Sequence, residues 1–259
     1  MIAKLIENDI VVRGLAHPII FQGSGSDELN GRTPGISPKT SDGNSATDTS
    51  NFRTFGAVMV TPRNYYRVLQ SGQNALLFPG GVREVFHGRD EAYQLFWPEK
   101  VDFVRTAARF NATIIPLSAV GMADSLNILL EPSEIVDLPW IGERAKNFAA
   151  NVTAARFDAA NENEVFLPPI IAPGLPSRNY FLFGKPMSTK DLDPSDKASC
   201  EDVYNELQKE MKRGFDDILQ AREKDTYMQA PQRLAYERLT GQKAPTFDIE
   251  EVNRPSVVK

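Results

Sequence analysis

Cysteine is almost missing from this chain of 259 residues, which carries only Cys200, and histidine is nearly as scarce, with only His17 and His87. A lone cysteine excludes an intramolecular disulfide framework, and two histidines without a cysteine cluster offer no zinc spacing. Long apolar runs are lacking as well. Stretches such as residues 112–117 fall far short of the roughly 20 residues that a spanning helix needs, so any membrane contact is expected to be peripheral or made by a segment outside this sequence. The first thirteen residues mix Lys4, Glu7 and Asp9 with apolar positions and show neither a signal-peptide core nor an Arg- and Ser-rich transit pattern. A basic surplus is also missing. With 29 Lys and Arg against 34 Asp and Glu the net charge is -5, which argues against a nucleic-acid partner, because neutralising phosphates needs a basic surface. No Gly-x-Ser-x-Gly elbow occurs, which argues against a self-contained serine hydrolase. The run Gly23-Ser24-Gly25 continues into Asp27 and Glu28 and is wrong for a dinucleotide fingerprint.

What the sequence does hold is a hydrophobic fraction of 41%, enough for one sizeable core. Ile10-Val11-Val12 and Ile19-Ile20-Phe21 read as buried-strand fragments flanking residues 13–18. From residue 22 to 50 Gly, Ser, Thr, Asp and Asn dominate, and such a segment cannot offset its ordering entropy by burial. Beyond it the pattern is α/β. Residues 57–60 read as a strand and 62–71 as a helix entered through Thr61 and Pro62 and stopped at Gly72. Residues 75–78 then read as a second buried strand. A helix from Pro98 to Phe110 with Asn111 as its cap, then a third strand over 113–117, continue the alternation and imply a mainly parallel sheet flanked by helices. Residues 140–152 suggest a further helix and 179–183 a late strand. Over 200–222 the spacing of Val203, Leu207, Met211, Phe215 and Ile218 gives one apolar helix face. The tail from Asp225, with Pro231, Pro245 and Pro255, reads as surface-wrapping chain. The expected partition is 1–21, 22–52 (insert), 53–223 (core) and 224–259 (tail).

The most informative segment is Ala75-Leu76-Leu77-Phe78-Pro79-Gly80-Gly81-Val82-Arg83-Glu84-Val85. A strand ending in Pro-Gly-Gly permits positive φ and close backbone approach, so that successive amides can face an anionic or carbonyl oxygen. Arg83 adds a cationic fork suited to phosphate or carboxylate, and Glu84 can orient it or hold a hydroxyl. The alternative is a tight turn whose glycines serve geometry alone, with solvated charges beside it.

Three blocks resemble the glycerolipid acyltransferase superfamily, in particular its diacylglycerol acyltransferase type-2 branch. They are Gly56-Ala57-Val58-Met59-Val60-Thr61-Pro62-Arg63-Asn64-Tyr65-Tyr66; Phe78-Pro79-Gly80-Gly81-Val82-Arg83-Glu84; and Phe103-Val104-Arg105 running into Ala112-Thr113-Ile114-Ile115-Pro116-Leu117. The block His87-Gly88-Arg89-Asp90-Glu91-Ala92-Tyr93-Gln94-Leu95-Phe96-Trp97-Pro98-Glu99-Lys100 is similar to the acyltransferase half of plant and algal phytyl ester synthases. This resemblance implies a glycerolipid-acyltransferase-like fold and an O-acyltransferase acting on a lipid alcohol, phytol or diacylglycerol. Acyl-CoA or acyl-carrier protein is the implied donor, and no cofactor is implied. Plastid residence and a peripheral membrane or lipid-droplet surface follow from it too. Phe78, Pro79, Gly80, Gly81, Arg83 and Glu84 become the expected substrate-binding residues.

Such enzymes deprotonate the acceptor hydroxyl with a histidine upstream of the Pro-Gly-Gly loop, since an alcohol is a poor nucleophile at neutral pH. Five positions after His17 stands Gln22, and five after His87 stands Ala92, so neither makes the family's His-Asp pairing. His17 reads as structural and His87 as a pocket-lining residue and a weak candidate base. The catalytic histidine motif is therefore expected upstream of Met1. Ester or thioester hydrolysis and non-catalytic lipid binding are the competing readings. Arg105 reads as a snorkelling surface cation, and Trp97 and Trp140 as core.

Overall fold

Residues 11–17, 56–85, 87–150 and 167–246 are described in the computed structural model of the chain. Strand β1 (Val12–Ala16) lies between two parallel neighbours, β2 (Val58–Met59) and β3 (Asn74–Leu76), with Leu15 opposite Val58 and Val12 opposite Asn74. The residues expected to separate two strands are thus themselves the strand. Pairing on both sides satisfies the backbone of a segment whose Arg13 and Gly14 disguise it. Residues 19–21, and the whole expected insert at 22–52, lie outside the described residues.

Helix α1 (Pro62–Gln70) joins β2 to β3 and begins where the sequence indicates. Thr61 Oγ1 accepts the Asn64 amide at 3.1 Å and Pro62 occupies the first turn, where a missing N–H costs nothing. Gly72, at φ +70, ends the turn. β3 stops at Leu76, so Phe78 is not the end of a buried strand but a 59% exposed side chain. Helix α2 (Gly81–Val85) follows, then α3 (Asp102–Arg109), shorter at its start than the expected Pro98 onset; Asn111 takes the left-handed conformation just past its end.

The expected third strand is split by Pro116 into β4 (Thr113–Ile114) and β5 (Leu117–Val120). β6 (Leu126–Leu130), α4 (Pro132–Asp137) and α5 (Gly142–Ala150) come next. They are followed by β7 (Ile170–Pro173), β8 (Tyr180–Phe183) and β9 (Met187–Ser188). These strands pair antiparallel: β5 with β8, β6 with β7, β4 with β9. The α/β class holds, but among the described residues the parallel arrangement is confined to β2-β1-β3. In the second half the chain returns alongside itself, a path that antiparallel strands allow without a crossover helix between each pair. The β5–β8 and β6–β7 pairs are two successive two-stranded ribbons, and the outer one, β6 with β7, buries none of its residues. Leu126, Leu129, Ile170 and Ile171 are all exposed there.

Helix α6 (Lys197–Arg222) ties the two halves together. Its N-cap is Asp196, which accepts the Ala198 and Ser199 amides. Its buried face comprises Cys200, Tyr204, Leu207, Glu210, Gly214, Ile218 and Ala221. The first half of that face packs with Leu15, Tyr65, Val101, Phe103 and Val104, and the second half with Val120 and Tyr180. Gly214 is needed for this approach, since a Cβ there would meet the Oγ of buried Ser118 on β5. The tail lies largely at the surface but holds a helix, α7 (Ala230–Thr240), with Ala230 its one buried residue and Pro231 accommodated in its first turn.

Candidate functional site

The Pro-Gly-Gly turn hangs from the end of β3. Gly81 sits at φ +53, and its amide is turned back to the Phe78 carbonyl at 3.0 Å. Gly80 is buried under the side chain of Glu84: a Cβ at position 80 would overlap the Glu84 carboxylate. The two glycines therefore do different things. Gly81 supplies the left-handed turn, and Gly80 lets Glu84 fold over the backbone.

Glu84 Oε1 accepts the Phe96 amide at 3.1 Å. Burial pushes this carboxyl above the ordinary glutamate range, against the opposing pull of that hydrogen bond. Arg83 does not pair with Glu84. Its guanidinium makes a two-pronged contact with Glu91, Nη1 to Oε2 at 2.7 Å and Nη2 to Oε1 at 2.5 Å, and it lies 3.8 Å over the Phe96 ring. The same Glu91 accepts the Gly88 amide at 2.6 Å. His87 lies in this loop, its Nδ1 2.8 Å from the Gly88 carbonyl. Because a carbonyl only accepts, Nδ1 carries the proton in that contact.

Three further residues anchor the segment, of which the sequence gives a role to Trp97 alone. Arg89 forks onto Glu134 (3.0 and 2.7 Å) and also donates to the carbonyls of Ile128 and Leu129, while its amide donates to Glu131. Tyr93, at φ +63, donates to Asp124 at 2.7 Å and accepts the Gly121 amide at 3.1 Å; Arg222 pairs with the same Asp124. Trp97 stacks edge-on to Phe103 and packs on Tyr204, as core reading expects. The signal for these residues was the polar block after the Pro-Gly-Gly turn. It has no helical or strand period, so only its likeness to a family pointed to it. Of the remaining candidates, His17 stands half-buried just after β1, Arg105 lies on the surface bonded to the Pro194 carbonyl, and Trp140 is 91% exposed rather than core. A left-handed backbone at Trp140, φ +76, turns it outward between α4 and α5.

Glu91 carries a measurable signature. The hydrogen bonds from Arg83, first, and from Gly88 hold its carboxyl at about 2, below the ordinary 4.5. A carboxylate whose folded value is depressed contributes stability above the ordinary value and loses it as pH falls through the folded one. Thermal melts between pH 5 and pH 2 should thus show an acid-side loss that is smaller in Glu91→Gln. Identical acid slopes in both proteins would show that the pair contributes nothing.

Among the described residues no group of His, Cys, Asp and Glu is arranged to hold a metal ion, and no helix is long and apolar enough to cross a membrane. Fold and site together define an α/β protein with a glycine turn at a parallel strand end, buttressed by paired carboxylates. No protein-family model matches the chain, and no solved structure does. Curated sequences do. The chain is 34% identical over 255 residues to phytyl ester synthase 1 of Arabidopsis thaliana, a chloroplastic protein by its name, covering 95% of this chain and 34% of that one. It is 32% identical over 256 residues to phytyl ester synthase 2 of the same plant, likewise named chloroplastic, covering 96% and 34%. The chain is thus homologous to phytyl ester synthases and spans about a third of the length of these relatives.

Proposed function

We propose that the chain is acyltransferase sequence: it takes part in moving a fatty acyl group from acyl-CoA or acyl-carrier protein to a lipid alcohol, phytol or diacylglycerol, in a plastid. The homology to phytyl ester synthases, which covers 95% of the chain, carries this reading. The turn supplies polar groups at a strand end, and exposed Phe78 beside it offers apolar surface to a lipid chain. Gly80, Gly81 and Pro79 shape the turn, and Glu84 fixes its backbone. Arg83, bound to Glu91, stiffens the turn, and substrate recognition through it would keep that pair intact. The acceptor hydroxyl needs a base. In this reading the base is a histidine other than His17 and His87, and the protein meets its lipid at a peripheral membrane or droplet surface.

Two measurements test the reading. The purified chain, given labelled palmitoyl-CoA and phytol, should show no turnover; robust turnover would overturn the external base and move that role to His87. Palmitoyl-CoA should nevertheless bind, and Gly80→Val should weaken binding about tenfold by displacing Glu84, whose hydrogen bond orders the turn. Binding that is indifferent to Gly80→Val would remove the turn from the site.

A further inference from the structure

The five residues from His87 to Glu91 are fastened in opposite directions. Backward, Glu91 holds both the Arg83 fork on α2 and the Gly88 amide. Forward, Arg89 grips the outer ribbon and α4, through Glu134 and the carbonyls of Ile128 and Leu129. The carboxylates that receive it are also the ones that start α4: Glu134 accepts the Glu131 amide at 2.7 Å, and Glu131 accepts the Arg89 amide at 2.8 Å. Gly88 lies between the two sets. A Cβ there would stand 3.2 Å from a carboxylate oxygen of Glu131 on one side and of Glu91 on the other. The ion pairs are surface-accessible, with side chains of Arg89 and Glu134 each 42% exposed, so charge alone would contribute little. The multiplicity of bonds from one guanidinium to backbone and carboxylate makes the joint definite.

The outer ribbon needs such a joint, because no residue of β6 or β7 is fully buried and a two-stranded ribbon by itself is marginal. We infer that Arg89 is a positioning residue for the Pro-Gly-Gly turn, and that Arg89 and Glu91 form one linkage in series through which the placement of the β6–α4 arm sets the order of that turn. The inference rests on the turn being the site proposed above only for its importance, since its test needs no substrate.

Hydrogen exchange of the whole chain, read peptide by peptide, provides that test. Arg89→Ala should raise exchange in the peptide covering residues 76–85 about tenfold, and Glu91→Ala should do the same, with the α6 peptides unchanged. Links in series fail together. The double variant should therefore exchange no faster in that peptide than the quicker single variant. If Arg89→Ala loosens only residues 126–137, or if the two effects multiply in the double variant, the linkage does not exist. A rise that extends to α6 in every variant would mean general destabilisation and would equally overturn the proposal. Because no ligand takes part, failure here leaves the acyl-transfer reading untouched, and loss of palmitoyl-CoA binding leaves the linkage untouched.

Discussion

Asp225→Ala is expected to destabilise the chain by about 3–5 kcal/mol, the cost typical of leaving one partner of a buried ion pair uncompensated. Asp225 Oδ2 receives Arg178 Nη1 at 2.9 Å and the Tyr180 hydroxyl at 2.7 Å, and its other oxygen caps the Tyr227 amide at 2.8 Å. The Asp225 side chain is 3% exposed and that of Arg178 13%. Tyr180 resists ionisation, through burial first and then through its hydrogen bond to the Asp225 carboxylate. Removing the carboxylate takes from the Arg178 guanidinium its charged partner, leaving it the Pro245 carbonyl at 2.8 Å, and takes the Asp225 acceptor from the Tyr180 hydroxyl, at the seam where α7 joins the ribbon. Urea unfolding should report the loss, with Asp225→Asn, which keeps an acceptor oxygen, falling between wild type and alanine. A midpoint shift in Asp225→Ala no larger than that of a surface substitution would show that the seam is solvated and weak.

Gly121→Ala is expected to cost roughly 3 kcal/mol, from a left-handed backbone that alanine avoids together with a steric overlap that cannot relax. Gly121 sits at φ +120, and a Cβ there would strike the backbone carbonyl of Arg178 across the ribbon. Backbone cannot swing aside as a long side chain can. The same amide donates to the Tyr93 hydroxyl, so the substitution should also loosen the segment behind the Pro-Gly-Gly turn. Urea unfolding measures the first effect and hydrogen exchange near Tyr93 the second. Wild-type stability in this variant would show that the ribbon bends freely at Gly121.

Local chemistry made much of the first half legible. Thr61, Pro62, Gly72 and Asn111 announce helix ends through groups that act within a few residues, and those ends lie where the letters put them. The apolar spacing of Leu207 and Ile218 likewise marks the buried face of α6, though Gly214 and Glu210 on that face could be found only from what they touch, Ser118 across the helix-strand contact and the Lys185 amide. What sequence missed depends on distant pairing. β1 is a strand because two other strands flank it, and β5 to β9 run antiparallel because of how the chain returns, which no window of residues records. Pro231 misled in the other direction, since proline ends a helix only beyond its first turn. Within the candidate site the Pro-Gly-Gly turn was visible as letters. The partner of Arg83 was not, because Glu91 lies eight residues on in a segment without period.

The two tryptophans of the chain occupy opposite surroundings: Trp97 is locked among Phe103 and Tyr204, and Trp140 projects into solvent at 91% exposure. Indole emission follows the polarity around the ring, so the molecule carries two optical reporters, one on the inner cluster and one on the outer arm. Events at either end can thus be watched in the unlabelled protein, each by its own colour.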